Sequence, residues 1–347
     1  MAVSAPDVIG LAFEHTKAQL LRPFRFSQWW RLAVVGLFAG ELGSGGGSNF
    51  STPSSGGKHP SNFLSGWPPS LHDLHPQTIT IIAVGVVVGL AALVLLTYIS
   101  SVMRFILFDS VIAKECHISE GWRRRTDEGW RYFCWQLGFL GVTLAAILIL
   151  IGTPVAWAWA NGWFAQARAH LAGLILGGIV VVGLFLALVL VAALVQVLTK
   201  DFVVPQMALE GLTAVEGWRR LAAWIKAEKG QYAGYIGIKI GLGLAAAIIF
   251  AVLQIVALLV MLIPIGGIAA AIYLGAKSAG MTWDAPAIAL AVVLGIIVLL
   301  LVFFVLLLIA TPTVVFFPAY SMYFLAPRYA PLAARLWPQP PASQPAG

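Results

Sequence analysis

The segment VPQMALEGLTAVEGWRR, residues 204–220, directly follows a long apolar run and has a counterpart 96 positions earlier. The counterpart, residues 108–124, reads FDSVIAKECHISEGWRR and shares the string Glu-Gly-Trp-Arg-Arg in the same register. Asp109 in the first copy and Pro205 in the second each stand 12 positions before the glycine of that string. The repetition indicates a duplicated unit of membrane architecture, and it points to no particular reaction.

The second copy carries a helix-start signal. Thr213 followed by Glu216 is a capping box, in which each side chain satisfies a backbone N–H of the other residue. Apolar residues then recur at helical spacing on one face, at Val215, Trp218, Ala222 and Ile225. We predict that Pro205 and Asp109 end their spans, and that a surface helix follows each, with tryptophan towards lipid and cations towards headgroups.

The overall composition is that of a membrane protein. Hydrophobic residues make up 60% of the 347 residues and charged residues only 10%, with a net charge of +7. Soluble domains carry about 25% charged residues, so no part of this chain resembles a soluble enzyme domain.

Five apolar runs are long enough to cross a bilayer, which takes about 20 helical residues. A sixth, 26–40, is shorter and contains Arg31, so it crosses only if Arg31 reaches back to the headgroups; its alternative is a helix lying flat on the membrane. With six spans, 17 of the 21 Lys and Arg residues fall on one side, which the positive-inside rule makes the cytoplasm. The six predicted spans are 26–40, 78–103, 132–158, 171–198, 232–263 and 287–310.

These observations predict an all-α membrane protein. The fold is a six-helix transmembrane bundle with duplicated span–interfacial helix–span units, in the cell (inner) membrane, with both termini cytoplasmic. An amphipathic segment, 1–25, precedes the transmembrane domain, 26–311, and a cytoplasmic tail, 312–347, follows it. The Gly/Ser/Pro-rich stretch 43–76 is predicted to be a disordered external loop, and the basic stretches 104–131 and 199–231 to be cytoplasmic loops.

The first residues carry a resemblance to a known group. The pattern Ala12-Phe13-Glu14-His15-Thr16-Lys17, with Phe26-Ser27-Gln28-Trp29-Trp30-Arg31, resembles the opening of uncharacterised bacterial multi-pass membrane proteins. The repeated loop is similar to a broader set that includes the membrane domain of some glycerophosphodiester phosphodiesterases. The resemblance implies a multi-helical membrane domain and brings no catalytic residue with it.

The sequence offers contact residues for lipid and only a weak candidate for a metal. We expect anionic headgroups to meet the cations of the two copies, and tryptophans to anchor the interface. The headgroup candidates are Arg123, Arg124, Arg125, Arg219, Arg220 and Lys226, and the anchors are Trp29, Trp30, Trp122 and Trp218. His72, Asp73 and His75 contain metal-ligating groups, but a solvated polar loop explains them better. We predict no catalytic residue and no cofactor.

The sequence predicts only the broad class of function. The first hypothesis is a non-enzymatic membrane protein of the cell envelope whose partners are anionic lipids, with a protein partner or self-association also open and no nucleic acid. The alternative is a transporter or channel for a small or amphiphilic solute. Lys239 is expected to reach the surface by snorkelling. No span carries a carboxylate at mid-depth, which argues against ion-coupled transport.

Overall fold

The computed structural model describes residues 5–41, 76–164, 166, 168–278 and 284–337. These residues are almost entirely helical, and none of them forms a strand. Between the α-helices lie a π-helical turn at Thr199–Val203, a 3-10 turn at Ala326–Arg328 and short connecting turns. The α-helices are α1 Asp7–Leu21, α2 Phe26–Phe38, α3 Pro76–Ala113, α4 Ile118–Ala160, α5 Leu171–Leu198, α6 Val204–Glu210, α7 Ala214–Ala227, α8 Lys229–Ser278, α9 Ala285–Leu325 and α10 Ala330–Leu336.

Five helical stretches in the described part are long and apolar enough to cross a membrane. They correspond to α3, α4, α5 with its continuation to Glu210, α8 and α9. The remaining predicted span, 26–40, corresponds to α2, which has 13 residues. At 1.5 Å per residue α2 is about 20 Å long, shorter than the roughly 30 Å hydrocarbon core. The described residues thus form an all-helical structure with five candidate membrane-spanning helices.

Side-chain burial divides these long helices into two zones. One end of each helix joins a single hydrophobic cluster, which we call the packed end: residues 5–41, 98–136, 198–243 and 307–336. The remaining parts of the long helices, which we call the arms, comprise 80–97, 137–160, 171–197, 244–278 and 286–306. Arm side chains are almost all exposed and apolar, as expected for surfaces that face lipid.

The N-terminal helices complete the packed end. α1 and α2 both contact α9, and α2 also contacts α3. Val8 of α1 and Leu32 of α2 are fully buried there, and so is Leu332 of α10. Within the predicted amphipathic segment 1–25, α1 buries Val8, Ala12, His15 and Leu20 in the protein.

Several predicted loops are helical. The stretch 104–131 contains the end of α3 and the start of α4, and 199–231 contains α6, α7 and the start of α8. The predicted tail, 312–347, is helical as far as Leu336, because α9 continues through Pro312 and Pro318. Prolines are tolerated in membrane helices where neighbouring groups satisfy the freed backbone. Of the predicted external loop, only Pro76 is among the described residues, and it begins α3.

The two copies of the repeated segment turn the chain later than predicted. Helical structure runs through Asp109 and Pro205, and left-handed residues follow at Lys114 (φ 58°) and Gly211 (φ 67°). The predicted capping box is present, since Thr213 and Glu216 cap each other's backbone N–H groups at the start of α7. The prediction that Asp109 and Pro205 themselves break the helix is wrong.

Glycine allows close approach in both copies. A Cβ on Gly121 would lie 3.1 Å from Ile106, and one on Gly217 would lie 2.7 Å from Val203. Each repeated string therefore sets its tryptophan and arginines on a helix packed against the end of the preceding one.

Candidate functional site

The π-helical turn Thr199–Val203 brings the chain's most unusual group of side chains together. A π turn widens the helix by one residue and is frequently found at functional sites. Here it follows the apolar α5 directly, so the consecutive residues Lys200 and Asp201 lie inside the packed end. Asp201 is 2% exposed.

Two residues of this turn form buried ion pairs. Lys200 Nζ lies 2.6 Å from Glu41 Oε2, just beyond the end of α2. Asp201 Oδ2 lies 2.5 Å from Lys239 Nζ of α8 and also accepts a hydrogen bond of 2.9 Å from the Tyr235 hydroxyl. The four charged side chains are buried to about nine-tenths or more. Such pairs cost strong desolvation, and losing one partner leaves an uncompensated charge.

A third cation lies beside the pairs. Arg104 of α3 donates through one terminal nitrogen to the Ala39 carbonyl at 2.6 Å. Its Cζ lies 5.7 Å from the ring centre of Tyr132, within cation–π range. The Arg104 Nε is buried and has no hydrogen-bond partner among the described residues. Within the described chain, no carboxylate lies close enough to Arg104 to form an ion pair.

A partly open cavity of about 30 Å³ lies among these groups. Four of its lining residues carry the charges, namely Glu41, Arg104, Lys200 and Asp201. Roughly 10–15 Å³ is enough for one water, so the cavity has room for about two water-sized atoms. Its remaining walls are Leu107, Phe108, Val204, Pro205, Pro318, Ser321 and Met322.

The charge state of Glu41 follows from these neighbours. Burial alone raises the pKa of the Glu41 carboxyl, but Lys200 and Arg104 outweigh it, so the pKa lies below its ordinary value. Glu41 is therefore ionised at neutral pH, and the cluster holds three cations against two carboxylates.

Comparison with known proteins adds a family to this geometry. A family described as a family of unknown function (DUF7544) has a model that matches residues 3–335, nearly the whole chain. The chain belongs to this family. No curated protein and no solved structure matches it. The comparisons thus agree with an uncharacterised family and show no link to glycerophosphodiester phosphodiesterases.

Four of the six cations predicted to meet headgroups are exposed in this DUF7544 protein. Arg123 and Arg124 at the start of α4, and Arg219 and Lys226 on α7, all point away from the core. Arg220 is half-buried and forms an ion pair with Glu210 at 2.9 Å.

Arg125 differs from the other five. It is 6% exposed, with Nε 2.6 Å from Asp109 and a terminal nitrogen 2.8 Å from the Ala208 carbonyl. A second ion pair reaches Glu128. Its guanidinium thus joins the ends of α3, α4 and α6, and the structure does not support headgroup contact for Arg125.

The predicted anchor tryptophans face the protein. All four are partly buried. Trp122 lies edge-on to Tyr98, and Trp218 donates to the Thr199 hydroxyl at 2.9 Å. Trp29 donates to the Leu308 carbonyl at 2.9 Å, and Trp30 lies beside Arg31. Trp218 lies on the side of α7 that contacts the π turn, and contact of the tryptophan face with lipid stays a prediction.

The candidate metal ligands His72, Asp73 and His75 lie outside the described residues. Among the residues that are described, no three His, Cys, Asp or Glu side chains are grouped to hold a metal ion.

Sequence reasoning missed the ionic cluster because its members are far apart in the chain. Lys239 was expected to snorkel, yet it is 6% exposed and paired with Asp201. One local signal was available: Lys200-Asp201 interrupts the apolar run of α5 four residues before Pro205. Adjacent opposite charges at the end of a span indicate buried partners, and nothing local identifies those partners as Glu41 and Lys239.

Proposed function

We propose that this protein is a non-enzymatic, multi-pass protein of the cell membrane that binds anionic lipid headgroups through the exposed cations of its repeated helices. The observation that carries the proposal is that, within each repeat, some arginines form internal ion pairs while others are exposed. Arg125 and Arg220 are used in internal ion pairs. Their neighbours Arg123, Arg124 and Arg219 are exposed on the same helices.

The placement of the cations supports this function. Clustered Lys and Arg beside spanning helices attract anionic lipid, with about 1 kcal/mol per residue close to the surface. α7 rests its apolar face on the packed end, through the buried residues Ala214, Gly217 and Leu221. Its exposed cations therefore have a fixed position, which lowers the entropy cost of holding a headgroup.

The membrane orientation belongs to the same proposal. α1 and α10 both pack in the packed end, which supports placing both termini on one side of the bilayer. The surplus of basic residues there favours the cytoplasmic side. If the five long helices all cross the membrane, both termini lie on one side only when the chain crosses a sixth time before α3. The close contacts of Gly121 and Gly217 support a duplicated unit.

The test compares lipid enrichment between matched variants of the whole protein. Arg219→Gln with Lys226→Gln removes two cations at the packed end, whereas Arg168→Gln with Lys277→Gln removes two exposed cations at the far ends of the arms. Purified in membrane-derived nanodiscs, the first double variant should retain less phosphatidylglycerol and cardiolipin than wild type, and the second should match wild type. Equal enrichment in all three proteins would refute the proposal.

The alternative of a transporter or channel is less well supported. Binding sites for small molecules typically have volumes of about 300–1,000 Å³, whereas the cavity in the packed end measures about 30 Å³. A cavity of that size suits an ion or waters, and an amphiphilic solute does not fit.

A further inference from the structure

The ionic cluster of the packed end has one more positive charge than it has negative charges. Lys200 pairs with Glu41 and Lys239 pairs with Asp201. Arg104 lines the same cavity, donates to a carbonyl and lies beside an aromatic ring, and no described carboxylate forms an ion pair with it. An arginine stays protonated at any physiological pH. The positive charge of Arg104 is therefore permanent.

A net charge inside a protein is costly unless a partner compensates it. Removing an ion from water costs several kcal/mol even after relaxation, and buried charges are as a rule paired. The Arg104 Nε has no acceptor although it is buried. The cavity lies against this side chain and against Lys200, so the missing partner has a place to bind.

We propose that the cavity is a binding site for one small anionic group, held by Arg104 and Lys200. The group is either a free inorganic anion such as chloride or one acidic oxygen of a lipid phosphate that enters through the open side. Both have the same chemistry at the site, a single compact negative charge that accepts N–H donors. The proposal does not depend on lipid binding at the exposed cations.

The size and walls of the cavity favour this ligand over larger ones. Room for about two water-sized atoms admits a chloride ion or one or two oxygens of a phosphate. Glu41 and Asp201 also line the space, but each is already paired with a lysine. A cation would add to the excess charge instead of cancelling it. The Ser321 side chain, which donates to the Pro318 carbonyl at 2.9 Å, also lines the cavity.

The first experiment measures thermal unfolding of the full-length protein in nanodiscs of neutral phosphatidylcholine. Chloride replaces gluconate at constant ionic strength. In a second arm, 30% phosphatidylglycerol is added with gluconate as the only free anion. We expect the melting temperature of the wild type to rise in a saturable way in one of the two arms. No rise in either arm would overturn the proposal.

The second experiment assigns the effect to the cavity. Arg104→Gln removes the excess charge while leaving both ion pairs, and it should raise the apparent dissociation constant at least tenfold. Arg168→Gln removes an exposed cation at the far end of an arm and should leave that constant unchanged. Ser321→Val keeps every charge and fills part of the cavity, so it decides the question if Arg104→Gln does not fold.

The outcomes separate the sources of the anion. A chloride effect in neutral lipid that Arg104→Gln or Ser321→Val removes identifies a free anion. A phosphatidylglycerol effect with the same dependence identifies a lipid phosphate. An effect that persists in the cavity variants but disappears in Arg219→Gln with Lys226→Gln arises at the surface and overturns the cavity site, while supporting lipid binding by the repeated helices.

Discussion

The packed end and the arms are built from the same helices but obey different rules. In the arms, apolar side chains cover every face, and helix formation alone satisfies the backbone. In the packed end, buried tyrosines, phenylalanines and ionised groups contact partners on other helices. Only in the packed end do side chains require particular neighbours, so this zone determines how the helices are arranged.

This difference shows where a membrane protein can hold charge. An ionised side chain in an arm would face lipid, at a cost of about 2.5–3.5 kcal/mol on insertion scales. At the packed end, five charges lie within one cluster and partly compensate one another. We therefore expect the same type of substitution to lower the free energy of unfolding much more in the packed end than in the arms.

The largest effect is expected when a buried charge loses its partner. Asp201→Asn leaves Lys239 without a counter-ion and should cost about 3–5 kcal/mol of unfolding free energy. Asp127→Asn, on the exposed side of α4, is the matched control and should cost less than about 0.5 kcal/mol. Unfolding in increasing SDS, followed by tryptophan fluorescence, measures both. Equal midpoints for the two variants would contradict a stabilising role for the buried pair.

Removing a large side chain tests the same contrast without charge. Phe202 is fully buried among Tyr232, Tyr235 and Phe324, so Phe202→Ala should cost about 3–4 kcal/mol. Leu190 in the arm of α5 is 70% exposed, and Leu190→Ala leaves no cavity in the protein. The same SDS titration compares them. A midpoint for Leu190→Ala as low as that for Phe202→Ala would show that the arms also pack.

Adding a single methyl group distinguishes close packing from open helix surface. A Cβ at Gly36 of α2 would overlap Val314 of α9, whereas a Cβ at Gly85 in the arm of α3 would meet nothing within 4 Å. Gly36→Ala should therefore cost about 1–3 kcal/mol. Gly85→Ala should be neutral or slightly stabilising, because alanine favours the helix. A thermal melt of both variants in detergent is sufficient, and a stable Gly36→Ala would contradict the placement of α2.

Acid should loosen the N-terminal helix by a smaller amount. His15 contacts the Tyr323 hydroxyl and the Val111 carbonyl, and burial lowers the pKa of its imidazole below 6.5. The unfolded state then binds the proton more readily, so stability is present above pH 6.5 and decreases as the pH falls below it. Hydrogen exchange of α1 should be faster at pH 5.5 than at pH 7.5, after correction for intrinsic rates. In His15→Gln this difference should disappear; if it persists, another group is responsible.

The sequence predicts the arms well because lipid imposes a local rule. The apolar length of a run such as 171–198 is enough to predict a helix, and α5 spans those same residues. The Thr213–Glu216 capping box is equally local and is confirmed. The helical course through Pro312 and Pro318 was missed, since it depends on packing of α9 against α1 and α2.

The site was much less predictable. The exposure of Arg123 and Arg219 follows from helical spacing, but the burial of Arg125 depends on Asp109 and Ala208, which lie on other helices. Glu41, Arg104 and Lys239 are separated by tens to hundreds of positions. Only the arrangement of the helices brings them to one cavity, so no spacing rule identifies them.

The contact between α1 and α9 has a consequence for biosynthesis. His15 and Tyr323 are 308 positions apart, and Ala5 and Tyr320 are 315 apart. At about 5–20 residues per second, α9 leaves the ribosome roughly 15–60 s after α1. During that time the first helix has no native partner on α9, and its buried face must be held by the membrane surface or the insertion machinery. Although α1 is made before α9, it reaches its final position only after α9 has been made.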